Sequence, residues 1–400
     1  MHKRTVQLPK GFSAAGVHAG LKKNGKLDMA LLFSSFPAAT AGMVTTNRVK
    51  AAPARHTEQR LNEKQPIQAI LINASNANCL TGTRGMQDVL SGVQWVSQQL
   101  GIPSKSILFH STGVIGVPLP MKQIFQGIKL LTTSLSPAGG FAAAHAILTT
   151  DQKAKIQSKV VNIHGTQVKF LGIAKGSGMI HPAMATMLVY LMTDLNIQQA
   201  LWRQIIHEAI EKSFHCITVD GDTSTNDTVI GLANGASGNT RIVSSKDSDL
   251  FKVRSAVENI CLELARDIIR DAEGATKFIT IKIQKAKTPA QARQAGMAVA
   301  QSLLVKTTLF GGDPNWGRIL AAVGYSGADI QEMQTKVRIE KYLVFNGGKP
   351  VRWEREKLRK LFSKKEITIE IQLNLGVGQA EIYTCDLGTN YIEINGRYTT

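Results

Sequence analysis

Strand-like and helix-like segments intermingle along the whole chain, with no internal repeat and no Pro-, Gly- or Ser-rich linker between them. That pattern restricts the fold to mixed α/β architectures. Residues 67–73 form an apolar run of strand length that enters an Asn-rich loop. Between 86 and 100 the apolar residues Met86, Val89, Leu90, Val93, Val96 and Leu100 recur with a helical period. Residues 106–110 read as a short strand ending at Ser111-Thr112-Gly113. Residues 159–171 alternate about His164-Gly165 like a hairpin. A strand is expected at 187–191, an amphipathic helix at 197–214, and an approach at 217–219 to an Asx-rich segment, Asp220 to Asp227. Further helices are expected at 247–270 and 289–305, and strands at 278–283, 367–372, 379–384 and 391–394. Mixed sheets with helices on their outer faces follow.

Of the 400 residues, 43% are hydrophobic and 19% charged, enough to bury a large core. The four cysteines, Cys79, Cys216, Cys261 and Cys385, form no CxxC pair, which points to a reduced, cytoplasmic protein. No apolar segment follows the basic N-terminus, so no secretory signal is read. The uncharged stretches 29–47, 130–150 and 176–193 are near spanning length. Each is broken by Pro and seeded with polar residues, so none is expected to cross a membrane.

The net charge is +18, of which residues 1–185 carry +15 and residues 186–400 carry +3. Such a bias attracts anions. The basic residues are scattered, aromatics are 6%, and no nucleic-acid-binding signature is present, so nucleic acid is not the expected partner. There is no GxxxxGK[ST], HExxH or GxSxG motif. Asp220, Asp222, Asn226 and Asp227 lack the Gly and Glu of a calcium loop and read as an Asx-rich turn. No His pair has metal-ligand spacing, so no metal is expected. His110 and Ser111 are adjacent on a strand, face opposite ways, and cannot pair directly.

The segment from Gly172 to Leu188 stands out. A Gly-rich, Pro-containing loop delivers Thr186 to the start of an apolar strand, behind the small residue Ala185. A hydroxyl beside a strained peptide can attack the preceding carbonyl, shift the acyl group to oxygen and hydrolyse, leaving Thr186 as a new N-terminus. Its own α-amine, with a pKa near ~7.7–8.0, then serves as the base for its hydroxyl. A structural Thr at a strand start is the competing reading.

The segment KGSGMIHPAMATML (175–188) has company: STGVIG (111–116), TTD (149–151), DAEGATK (271–277), DPNWGR (313–318) and a terminal Ile394-Asn395 to Thr400. These six motifs, in order over the whole chain, resemble the ornithine acetyltransferase family of arginine biosynthesis, also called the glutamate N-acetyltransferase family. The resemblance implies stacked mixed β-sheets covered by helices, an α-β-β-α core, with a second, smaller α/β lobe. It implies self-cleavage between Ala185 and Thr186, giving an α chain of 1–185 and a β chain of 186–400 that stay together as a heterotetramer of two α and two β chains. The implied reaction moves an acetyl group from N2-acetylornithine to Thr186 and on to glutamate. No cofactor is implied, though acetyl-CoA is a possible second donor.

By the same resemblance Thr112 and Gly113 form the oxyanion pair, and Thr149, Lys175, Thr186, Glu273, Asn395 and Thr400 contact substrate. Lys175 suits an α-carboxylate, and Glu273 suits a substrate ammonium. Thr150 is expected to face away from Thr149, as neighbours in an extended segment do. Three positions depart from the family's pattern: Ser75 stands where Gly is expected, and Gly388 and Gly396 where Thr and Ala are more usual. A self-cleaving aminopeptidase or amidohydrolase that uses the same N-terminal Thr and passes the acyl group to water, and a non-enzymatic basic binding protein, are the alternatives.

Overall fold

The computed structural model describes residues 5–181 and 187–397, apart from the side chains of Arg355, Leu358 and Arg359. Eight strands form one mixed sheet: β1 (Phe12–Val17), β2 (Met29–Val44), β3 (Ile67–Asn76), β4 (Ile107–Val114), β5 (Lys155–Ile163), β6 (Thr166–Lys175), β7 (Leu188–Thr193) and β8 (Thr228–Ala233). Their order is β4-β3-β2-β8-β7-β6-β5, with β1 also paired to β2.

The 16-residue strand β2 turns this sheet into two layers. Its first part, Met29 to Phe33, pairs with β3, and its last part, Ala39 to Val44, pairs with β8. Between them the register breaks at Phe33/Ala38, beside Pro37, which has no N–H to give a ladder. The uncharged stretch at 29–47 is therefore largely a corner strand. Among the described residues no helix is long and apolar enough to cross a membrane.

Period-two alternation then sorts the side chains. Leu31, Leu71 and Phe109 face outward onto helices Gly82–Leu100 and Met121–Thr133, through Val89, Val93, Ile124 and Ile128. Leu32, Ile70, Ile72 and Leu108 face inward and meet Ile173, Leu188, Tyr190 and Leu232 from the other layer. The far face of that layer, with Phe170, Val189 and Val229, packs on Trp202, Ile206, Val257 and Leu264 from helices Gln199–Lys212 and Leu250–Arg270. Helix, sheet, sheet, helix is the four-layer arrangement expected.

The smaller lobe is a second mixed sheet: β9 (Phe278–Ala286), β10 (Lys336–Ile339), β11 (Tyr342–Asn346), β12 (Lys349–Pro350), β13 (Glu366–Gln372) and β14 (Gly378–Cys385). Ile281, Ile369, Val337 and Ile382 pack there on helices Pro289–Gln301 and Trp316–Gly324. Phe278, Tyr383 and Cys385 join this sheet to the core around helix Leu250–Arg270.

Two expected elements come out differently. The helix expected at 289–305 breaks at Ser302, whose side chain caps a new helix, Leu303–Gly311, by accepting from the Val305 N–H. The strand expected at 391–394 is helix Thr389–Arg397. A four-residue alternation cannot separate the two. What decides is that Tyr391 and Asn395, one turn apart, both bond distant acidic residues: Tyr391 Oη donates to Asp220 Oδ2 at 3.1 Å, and Asn395 Nδ2 to Glu273 Oε2 at 2.9 Å. The expected hairpin is present, with both turn residues in the left-handed region (His164 φ 48°, Gly165 φ 82°).

Candidate active site

One cleft is lined by Thr112, Gly113, Thr149, Lys175, Glu273 and Asn395, six positions that lie in five separate segments of the chain. Thr186 and Thr400, and the proposed cut after Ala185, lie outside the described residues.

Thr112 and Gly113 stand within β4, not in a turn beyond it. Gly113 has φ 134°, and a Cβ there would lie 2.2 Å from the Ser75 carbonyl carbon and 2.5 Å from the Asn76 nitrogen. Only Gly permits that contact between β4 and β3. Ser75 itself sits at φ 80°, which explains why Gly is the expected residue there. Of the other departures, Gly388 lies where a Cβ would strike the Phe310 ring at 2.3 Å, whereas Gly396 has open space around it.

Lys175 ends β6, is 1% exposed, and donates from Nζ to Thr112 Oγ1 at 3.1 Å. An ammonium has no acceptor capacity, so Thr112 must accept this bond. Its own O–H is left to donate elsewhere. Asp151 Oδ2 lies 4.0 Å from the same ammonium. Burial lowers the Lys175 pKa and the nearby Lys155 lowers it further; Asp151, Asp227 and Glu273 oppose that shift.

Asp151 was missed as a site residue in the sequence. Its buried carboxylate accepts from the Thr149 and Gly176 N–H groups and pairs with Lys155 Nζ at 2.7 Å, which also reaches Asp271 at 2.6 Å. Burial would raise Asp151, but Lys175, Lys155 and the Gly176 N–H together hold it well below the usual carboxylate range. The only sequence signal was its place in TTD. Thr150 is a correction: the segment is a bend, so Thr149 and Thr150 both line the cleft, and Thr150 Oγ1 shares a 2.8 Å hydrogen bond with Ser177 Oγ.

Glu273 is held from two sides. Its N–H donates to the Ser177 carbonyl, and its carboxylate lies over Gly178, where a Cβ would be 2.3 Å from Oε2. Gly274, at φ 68°, lets the C-terminal helix approach so closely that a Cβ would sit 2.4 Å from the Tyr391 nitrogen. Asn395 is thereby brought to the cleft by a docked tail.

The Asx-rich segment does more than turn. Asp220 accepts from the Met179 and Ile180 N–H groups at 2.6 and 2.9 Å. Asn226, in the cleft wall, donates to the carbonyls of Ala77 and Ser111. His110 and Ser111 do face apart, His110 bonding Tyr190 Oη and Thr57 Oγ1, and Ser111 bonding Asn73. Among the described residues no group of three His, Cys, Asp or Glu could hold a metal ion.

The fold is a four-layer α/β sandwich whose cleft presents a buried ammonium and a carboxylate. A family model described as the ArgJ family matches residues 13–400. The arginine biosynthesis bifunctional protein ArgJ of Gloeobacter violaceus is 41% identical over 397 residues, covering 99% of this chain and 98% of its own. That of Symbiobacterium thermophilum is 43% identical over 397 residues, with the same coverage. The crystal structure of the corresponding Bacillus halodurans protein matches with a TM-score of 0.51 at 32% identity, over 52% of this chain and 98% of that one. The chain belongs to the ArgJ family, the family to which the six sequence motifs pointed.

Proposed function

We propose that this chain is an acetyltransferase of arginine biosynthesis that cuts itself between Ala185 and Thr186 and carries an acetyl group from N2-acetyl-L-ornithine to L-glutamate on the Thr186 hydroxyl. The observation that carries the reading is the cleft itself: Lys175 on Thr112 at one side, and Glu273 on Asn395 at the other. In the first half-reaction the Thr186 α-amine takes the hydroxyl proton and Oγ attacks the acetyl carbonyl. The C–N bond breaks as the amine returns that proton to the leaving nitrogen, and ornithine departs. The glutamate amine then attacks the acetyl ester and Thr186 recovers its proton. Thr112 and Gly113 stabilise the oxyanion in both halves. Lys175 holds the α-carboxylate common to both amino acids.

Acetyl-CoA enters as a second donor to the same hydroxyl, a reading in keeping with the name "bifunctional" borne by the relatives. The two chains would stay joined, because β7 lies between β6 and β8, and β8 pairs with β2. The assembly implied by the resemblance, two α and two β chains in the cytoplasm, belongs to the same reading. The matched Bacillus halodurans chain is about half this length, which is in keeping with two chains.

Purified protein given N2-acetylornithine and glutamate is expected to yield ornithine and N-acetylglutamate in equal amounts. Free acetate in their place would make it the amidohydrolase. A pH effect follows from Lys175. The protonated form binds a carboxylate, and its lowered pKa means that form is lost at lower pH than an ordinary lysine's. The KM for glutamate should therefore climb on the alkaline side before the usual lysine range. Asp151→Asn removes an anion that opposes the shift, so the climb should begin at still lower pH. An unchanged profile would remove Asp151 from this role.

A further inference from the structure

Asn226 stands in the cleft wall, 7% exposed, in the Asx-rich segment just before β8. Its amide is fully engaged. Nδ2 donates to the Ala77 carbonyl at 2.7 Å and to the Ser111 carbonyl at 2.9 Å. Oδ1 accepts from Thr225 Oγ1 at 2.6 Å. Two carbonyls can only accept, so they fix which way the amide faces, and a carboxylate could not take its place. The loop beneath is a firm mount. The carbonyls of Thr223, Ser224, Thr225 and Asp227 accept, in that order, from Asn47 Nδ2, Thr45 Oγ1, the Ala51 N–H and the Thr45 N–H.

What these bonds hold is the backbone on both sides of Thr112-Gly113. The Ser111 carbonyl and the Thr112 N–H belong to one planar peptide, so fixing the carbonyl fixes the plane from which Thr112 projects. On the other side the Val114 carbonyl accepts from the Ala77 N–H at 2.9 Å, and the Ala77 carbonyl returns to Asn226. One amide thus closes a bracket around both residues. The sheet leaves that task open. β3 and β4 pair in step from Ala69 on Ile107 to Ser75 on Gly113, and then the register shifts at Asn76. Regular ladder bonds stop where Thr112 and Gly113 stand, and a residue 115 positions beyond Ser111 replaces them.

We infer that Asn226 is the positioning residue of the oxyanion pair, acting through the backbone on which Thr112 and Gly113 stand. The inference rests on the oxyanion reading above. It divides the hole between the two parts of the chain: residues 1–185 supply the donors, and a residue of 186–400 sets where they point. Oxyanion donors are effective because they are in place before charge develops. The competing account makes Asn226 a stitch between β3, β4 and the segment before β8. A stitch predicts lost stability with no selective loss of kcat.

The test measures kcat and KM for glutamate, per mole of matured chain, in wild type, Asn226→Ala, Asn226→Ser, Thr112→Val and the doubles of each Asn226 variant with Thr112→Val. Asn226→Ala should lower kcat about 10- to 10²-fold and move KM by less than about 3-fold. Asn226→Ser keeps one donor and should fall between Asn226→Ala and wild type; it serves in place of an alanine variant that does not fold. In the Thr112→Val background the fall in kcat should be at least about 3-fold smaller, because one of the two donors that Asn226 positions is already gone. Equal falls in both backgrounds, or a raised KM with unaltered kcat, would overturn the inference and leave the stitch. A Thr112→Val variant with unaltered kcat would overturn the oxyanion reading itself, and the inference with it.

Discussion

Thr186→Ala is expected to leave the chain as one 43.3 kDa species, while the wild type separates under denaturing conditions into fragments of roughly 20 and 23 kDa, the heavier beginning at Thr186. The variant should also lose acetyl transfer to the uncatalysed background, because the hydroxyl that carries the acetyl group and the amine that activates it vanish together. Under native conditions the wild-type fragments should not separate. Leu171 and Ile173 from β6 share a core with Leu188 and Tyr190 from β7, so parting the two chains would mean opening the sandwich. Fragments that drift apart on a sizing column would contradict the fold argument, and a Thr186→Ala chain that still cuts would contradict the chemistry.

Thr112→Val should show the second large effect. Valine matches threonine in shape and removes only the hydroxyl. In the wild type Lys175 Nζ occupies the acceptor side of Thr112 Oγ1, which directs the O–H to donate. If that donor meets the oxyanion, it acts in the transition state and not in the ground state. Loss of one such donor typically costs about 2.7–4 kcal/mol, a fall of about 10²–10³ in kcat. KM for glutamate should move far less, since Lys175 keeps Asp151 4.0 Å away as its counter-ion. A variant with raised KM and unaltered kcat would instead make Thr112 a support for Lys175 and remove it from the oxyanion hole.

What the sequence disclosed follows from how local each signal is. The periods of helix Gly82–Leu100 and strand β3, and the His164-Gly165 turn, depend on neighbours within a few residues, so they were legible. The corner in β2 was not, because it is defined by pairing with β8, nearly 200 residues away. The tail shows the same limit: Tyr-Ile-Glu-Ile alternates like a strand, and only the distant Asp220 and Glu273 make it a helix. In the site, Thr112, Gly113, Thr149, Lys175, Glu273 and Asn395 were named from motif resemblance. Composition and spacing could not have assembled a cleft from five segments. Asp151 went unseen for a physical reason: its role comes from what surrounds a buried carboxylate, Lys155 and Lys175.

The central claim is that an acetyl group rests on Thr186 between donor and acceptor. Mature protein mixed with N2-acetylornithine, without glutamate, should be digested and its peptides weighed. The peptide beginning at Thr186 should be heavier by one acetyl group, and glutamate added before digestion should remove it and appear as N-acetylglutamate. An acetyl group on any other residue, or one that glutamate cannot discharge, would contradict the account.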